Sequence, residues 1–355
     1  NTLQNKYLIV FYIEGSLIGN DVVGASFAGN ISADAHQGKA PYEGLAKLIA
    51  NDTFKSTKTE KLDNVNYKYD DTHKLMEDTV GNIRYYGANP NNYIYFNCSD
   101  YNNQTSSTCE TWRIIGVFDG KVKIMRGSQI GTYSWDNKDT STGAETELGK
   151  NDWTTARLMK LLNPSNYYTI DSNDNGNGQS LYWNAKSGTC FSGQFNATKS
   201  CDFTSTGLKN VATRNLIAET TYYIRGHNDS EIFVDAMYDK ERVSGTVYTG
   251  RPTTWKGKIS LPYVSDYGYA TDLNQCQKTL LFYKAPECAA NNWMKNIVTN
   301  NGGNWGWLLT PNSGNASNAW FMHSPGDVGN YDYAFPANGV SPVLYLDSKL
   351  VIGSG

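Results

Sequence analysis

Charge is scarce in this chain, and no stretch of it is long and apolar. Only 18% of its 355 residues are charged and the formal net charge is −3, which argues against the basic field that nucleic acid or an anionic membrane would require. The longest apolar run near the start, Tyr7-Leu-Ile-Val-Phe-Tyr-Ile13, has seven residues, far short of the ~20 that cross a bilayer as a helix. No transmembrane segment and no nucleic-acid partner are expected. Gly-x-Ser-x-Gly, His-Glu-x-x-His and a glycine-rich phosphate loop are all missing, so nucleophilic, zinc-dependent and phosphoryl-transfer chemistry find no motif. Cys-x-x-Cys is also missing and the histidines (His36, His73, His227, His323) are scattered, which disfavours structural zinc. No repeat of fixed period is visible. The chain begins at Asn1, with no Met and no basic segment ahead of the apolar run, and a processed or trimmed N-terminus is expected.

What the chain has instead is aromatic and polar. It carries 25 Tyr and 9 Trp among abundant Asn, Ser, Thr and Gly, a mixture suited to twisted sheets joined by long polar loops. Its six cysteines fall into close pairs, Cys98 with Cys109, Cys190 with Cys201, and Cys276 with Cys288. Six cysteines allow 15 connectivities; local pairing is the expected one, because each pair encloses a polar loop that a bridge would restrain by about 2 to 3 kcal/mol. An oxidising compartment follows from that pairing.

Residues 1–83 read as an N-terminal leader, a docking or assembly element with the apolar strand Tyr7–Ile13 and a short helix over Pro41–Ala50 whose Leu45, Leu48 and Ile49 share one face. The acidic pair Asp70 and Asp71 reads as solvated surface. Residues 84–355 read as the main domain. Tyr93–Phe96 is a strand, and Trp112–Phe118 with Lys121–Met125 flank Asp119-Gly120, the favoured two-residue hairpin turn. Asn151-Asp152 caps a helix ending before Pro164. A second helix is expected over Lys209–Tyr223, and strands at Trp305–Leu309, Ala319–Met322 and Val343–Leu346. The order predicts an α+β fold, mainly antiparallel, with two or three short helices and long polar loops stapled by local disulfides.

Four segments, Trp112-Arg-Ile-Ile-Gly116, Trp153-Thr-Thr-Ala-Arg-Leu158, Trp305-Gly-Trp-Leu-Leu-Thr-Pro311 and Gly339-Val-Ser-Pro-Val-Leu-Tyr-Leu346, give residues 84–355 an order of motifs that resembles a group of uncharacterised bacterial surface domains with a C-type-lectin or formylglycine-generating-enzyme type of fold. The resemblance implies a C-type-lectin-like domain. Two departures bear on chemistry. Ser341 stands where relatives usually carry Arg before the closing proline, and the oxidase relatives need a reactive cysteine pair in the C-terminal core, where this chain offers local loop pairs.

The segment Thr310–Tyr333 sets Asn, Ser, Asp and Tyr around a core Trp, a composition suited to adaptable recognition. In lectin-type folds this region displays ligand contacts. Asn312, Asn315, Asn318, Trp320, Asn330, Tyr331 and Tyr333 are the expected ligand-binding residues; the alternative is that polar loops simply cover Trp305, Trp307 and Trp320. Asp171, Asn173 and Asn175 match the first half of a calcium loop, but position twelve is Tyr182, and the bidentate carboxylate is missing. No other metal or cofactor is expected. The expectation is a non-catalytic recognition or adhesion protein at the cell surface, its partner an extracellular ligand or a host or neighbouring-cell surface. One alternative is a filament or pilus subunit in which Tyr7, Leu8, Ile9, Val10, Phe11, Tyr12 and Ile13 complete the sheet of another copy. An oxidase of the formylglycine-generating type is the third.

Overall fold

The computed structural model of the chain describes residues 44–139 and 147–347; the expected assembly strand Tyr7–Ile13 lies outside them. The strands, in chain order, are β1 (Lys58–Leu62), β2 (Val65–Asp70), β3 (Leu75–Glu77), β4 (Ile83–Tyr85), β5 (Tyr93–Phe96), β6 (Glu110–Phe118), β7 (Lys121–Arg126), β8 (Thr132–Tyr133), β9 (Ser187–Phe191), β10 (Thr198–Asp202), β11 (Thr220–Tyr223), β12 (Thr254–Gly257), β13 (Ile259–Ser260), β14 (Gly306–Pro311), β15 (Asn318–Met322), β16 (Val328–Tyr333), β17 (Asn338–Gly339) and β18 (Val343–Tyr345). They form a nine-stranded sheet in the order β1-β2-β3-β4-β6-β7-β18-β13 with β5 also on β6, a five-stranded sheet β16-β15-β14-β17-β8, and two separate hairpins, β9–β10 and β11–β12. Every pairing but β14 with β17 is antiparallel. The fold is α+β, as expected, although the described α-helical segments number seven, none longer than six residues, with short 3-10 and π-helical segments besides.

The β6–β7 hairpin follows its turn chemistry. Asp119 and Gly120 take φ of 48° and 70°, the left-handed pair of a type I′ turn. Gly116 has a steric reason: a Cβ there would stand 2.3 Å from the Ile83 carbonyl oxygen. Only glycine lets β4 run against β6 at the bulge between Ile114 and Gly116.

The nine-stranded sheet runs across the expected boundary near residue 84, since β3 pairs with β4 and β4 with β6, so residues 58–83 share the main sheet. Lys209–Tyr223 is a helix only over Val211–Asn215, where Asn210 caps it by accepting from the Thr213 N–H at 2.8 Å; Thr220-Thr-Tyr-Tyr223 pairs instead with β12, as β-branched and aromatic residues favour. The helix after Asn151-Asp152 starts later, at Arg157, because Asp152 first closes a turn on Thr154. In the first segment Leu45 and Ile49 are buried, whereas Leu48 is exposed. Asp70 is buried too, accepting from the Lys55, Thr72 and His73 backbone N–H groups and hydrogen-bonded to the His73 ring.

The main core joins both sheets around Trp112, Trp135, Trp153, Trp255 and Trp307. Trp135 and Trp153 lie 5.1 Å apart; the Trp135 indole donates to Leu308 O and the Trp307 indole to Tyr133 O. All three cysteine pairs are bridged locally, Cys98–Cys109, Cys190–Cys201 and Cys276–Cys288. Each closes a short loop and restricts the unfolded chain by about 2 to 3 kcal/mol. Reduction under native conditions is therefore expected to lower Tm by on the order of 10 °C or more, read by scanning calorimetry with and without reductant.

Candidate functional site

The loop from Pro311 to Asn318 is built by its asparagines. Asn312 Oδ1 accepts from the Gly314 N–H at 2.7 Å and Nδ2 donates to Asn330 O at 2.6 Å. Asn315 Oδ1 accepts from Ser317 and Asn318 N–H groups at 3.1 and 2.7 Å, a self-closing turn. From beneath, Asn151 Nδ2 points at the carbonyls of Asn312, Asn315 and Asn318, and Arg251 donates to Asn151 Oδ1 and to Ala316 O. Asn312, Asn318 and Trp320 are buried, with the Trp320 indole donating to His227 O at 2.9 Å. Asn315 and Asn330 are half-buried. Of the seven residues singled out in the sequence, only Tyr331 and Tyr333 are substantially exposed, at 61% and 41%.

Those two tyrosines belong to a ledge of rings on the five-stranded sheet. Trp305, 44% exposed, lies 5.2 Å from Phe321 and 5.1 Å from His323; Tyr331 stands edge-on to Phe321 at 5.4 Å. Further along, Tyr333 stacks on Phe335 at 6.0 Å, and Phe335 meets Phe195 at 5.4 Å. Phe195 comes from the β9–β10 turn, which the Cys190–Cys201 bridge closes. Asn137 Nδ2 contacts the carbonyls of Gly193, Gln194 and Ala197 in that turn, so one end of the ledge is held by a staple and a buried amide. The alternative in which polar loops cover Trp305, Trp307 and Trp320 holds for Trp307 and Trp320 and fails for Trp305. Trp305 and Trp307 both touch Phe321, but Trp305 precedes β14 and overhangs its end.

The rings are fixed by polar partners. Tyr331 OH is hydrogen-bonded to His323 Nε2 at 2.9 Å, and His323 Nδ1 to Asp327 Oδ2 at 3.1 Å. The order hydroxyl, imidazole, carboxylate matches that of a catalytic relay, yet burial pushes the Tyr331 phenol above its ordinary pKa, opposite to what a nucleophile needs. The relay orients the ring. Burial likewise raises the Asp332 carboxyl, whose Oδ2 accepts from Asn338 Nδ2 at 2.7 Å.

One buried cluster of ionisable groups lies deep in the core. Asp78, Arg84, Lys123 and Asp266 form a chain with side chains at most 1% exposed, out of reach of any substrate. Between Trp153 and Arg251 lies a cavity of about 10 Å³, room for about one water. In the segment read as half a calcium loop, Lys138 pairs with Asp171, Arg157 donates to Asn173 O, and Arg157 with Lys160 holds Asp174. Cations already answer these oxygens, and among the described residues no group of His, Cys, Asp or Glu is placed to hold a metal. Millimolar calcium and a chelator are expected to leave Tm unchanged within a degree, checked by differential scanning fluorimetry. Ser341 is buried with its hydroxyl unpartnered. All six cysteines are disulfide-bonded. Among the described residues no helix is long and apolar enough to cross a membrane.

Comparison with known proteins gives no matching family model, no matching curated protein and no matching solved structure.

Proposed function

We propose that this chain is a non-catalytic extracellular recognition domain that binds a hydroxyl-rich surface polymer, a glycan, across the aromatic ledge. The observation that carries the reading is the contiguous exposure of Trp305, Tyr331 and Tyr333 on one sheet face. Rings anchored in a sheet present amphipathic area at little entropic cost, and exposed aromatic patches mark interaction surfaces. The phenol hydroxyls of the exposed Tyr331 and Tyr333 can both donate to and accept from ligand hydroxyls. The three disulfides support an extracellular setting. The C-type-lectin type of fold belongs to the same proposal: Trp112, Trp153, Trp307 and Leu344, one from each motif, pack in a single core.

Trp305 is the most exposed of the nine tryptophans, which gives a direct test. A bound glycan is expected to shield it and reduce the iodide-quenchable fraction of the fluorescence. A glycan that binds saturably and leaves quenching unchanged would place recognition elsewhere.

A further inference from the structure

A second site, distinct from the ledge, opens where β5, β6 and β7 meet. A cleft of about 340 Å³ is lined by Tyr93, Glu110, Thr111, Arg113, Ser128 and Ile297, with Arg126 and Gly127 completing its wall. That volume falls within the range of small-molecule sites. Arg113, the second residue of the Trp112–Gly116 motif, is only 8% exposed. Its guanidinium sits 4.0 Å from the Tyr93 ring centre and 4.9 Å from that of Trp293. Nε donates to Asn92 Oδ1 at 2.5 Å and Nη2 to Pro90 O at 3.3 Å. Among the described residues no carboxylate forms an ion pair with it.

Most other arginines in the interior are answered differently: Arg84 pairs with Asp78 and Asp266, Arg126 with Glu110, Arg157 with Asp174 and Arg242 with Glu241, while Arg251, also 8% exposed, is held by Asn151 Oδ1 and Ala316 O under the asparagine loop and away from this cleft. A buried charge without a counter-ion is costly, and burial pulls Arg113 down to about 10. An anion entering the cleft would supply the missing partner in the geometry guanidinium favours.

The geometry points to a binding site for a monoanionic, carboxylate-bearing ligand of sugar size, held by the Arg113 guanidinium in the cleft between Tyr93 and Ile297. Charge and lining set the class. Glu110 and Arg126 cancel, so the cleft offers one net positive charge, and the Glu110 carboxylate disfavours a dianion. The exposed hydroxyls of Thr111 and Ser128 suit a hydroxylated ligand, and the Tyr93 ring gives it a face to lie on.

The test is calorimetric titration of the full chain with glucuronate, glucose and inorganic phosphate. Glucuronate is expected to bind saturably, glucose not at all at this site, and phosphate at least tenfold more weakly than glucuronate. Arg113→Gln is expected to weaken glucuronate at least tenfold. Thr111→Glu, at an exposed position, keeps Arg113 and sets a competing carboxylate at the cleft, with the same expected loss; it decides the matter if Arg113→Gln fails to fold by near-ultraviolet circular dichroism. Tyr331→Ala, on the ledge, is expected to leave the affinity unchanged, which separates the two sites. Absence of saturable glucuronate binding, phosphate binding as tight as glucuronate, or full affinity in Thr111→Glu would each overturn the proposal.

Discussion

Asp266→Asn is expected to destabilise the protein by about 3 to 5 kcal/mol, lowering Tm by on the order of 10 °C. Asp266 is where distant parts of the chain are tied together. Its carboxylate pairs with Lys123 of β7 and, at 3.2 Å, with Arg84 of β4, while Oδ2 accepts from the Tyr263 N–H at 2.9 Å to cap the helix Val264–Tyr269. Arg84 in turn reaches Asp78 at 2.6 Å and lies over the rings of Phe118 and Tyr269. Neutralising the carboxylate leaves two buried cations short of one counter-charge, a larger loss than the net worth of either pair. The same residue sets a pH dependence. Burial alone would raise its pKa, but Lys123, Arg84 and Arg242 outweigh burial and hold it below the ordinary 3.8. A carboxyl depressed in the folded state contributes stability that is fully present above its unfolded value and is lost as pH falls through the folded one. Wild-type protein is therefore expected to lose stability steeply below about pH 4, and Asp266→Asn to show a shallower acid limb in urea titrations run at stepped pH.

The second large effect is on binding. Trp305→Ala and Tyr331→Ala are each expected to weaken glycan binding by about 30-fold, about 2 kcal/mol, as central aromatic anchors do. Tyr333→Ala, on the neighbouring stacked pair, is expected to cost less. Because Tyr331 is exposed, its replacement should change stability by no more than about 0.5 kcal/mol, and loss of binding would not reflect unfolding. His323→Ala separates orientation from contact. Removing the ring that holds the Tyr331 hydroxyl is expected to weaken binding while Tyr331 itself remains.

What the sequence made legible was local. The Asp119-Gly120 turn, the strands flanking it and the three disulfides depend on residues close in the chain, and each was found where expected. Thr220–Tyr223 was misread because its partner, β12, lies well downstream and the helical spacing upstream carried the reading past Asn215. The Asp266 network was invisible for the same reason, since its contacts to Lys123 and Arg84 span 143 and 182 residues. At the candidate site, Asn312, Asn315 and Asn318 look alike in sequence whether they face a ligand or close a turn; here their amides and carbonyls close turns. Trp305 and Trp307 share a strand face by their spacing, and only the end of β14 decides that one is covered and the other overhangs.

The most direct test of the recognition reading is a glycan array probed with the wild-type chain and with Trp305→Ala/Tyr331→Ala at equal concentration. The account predicts selective wild-type binding to a small set of glycans and loss of that signal in the double variant, with near-ultraviolet circular dichroism unchanged. A wild-type chain that binds no glycan, or a double variant that binds the same set equally well, would contradict it.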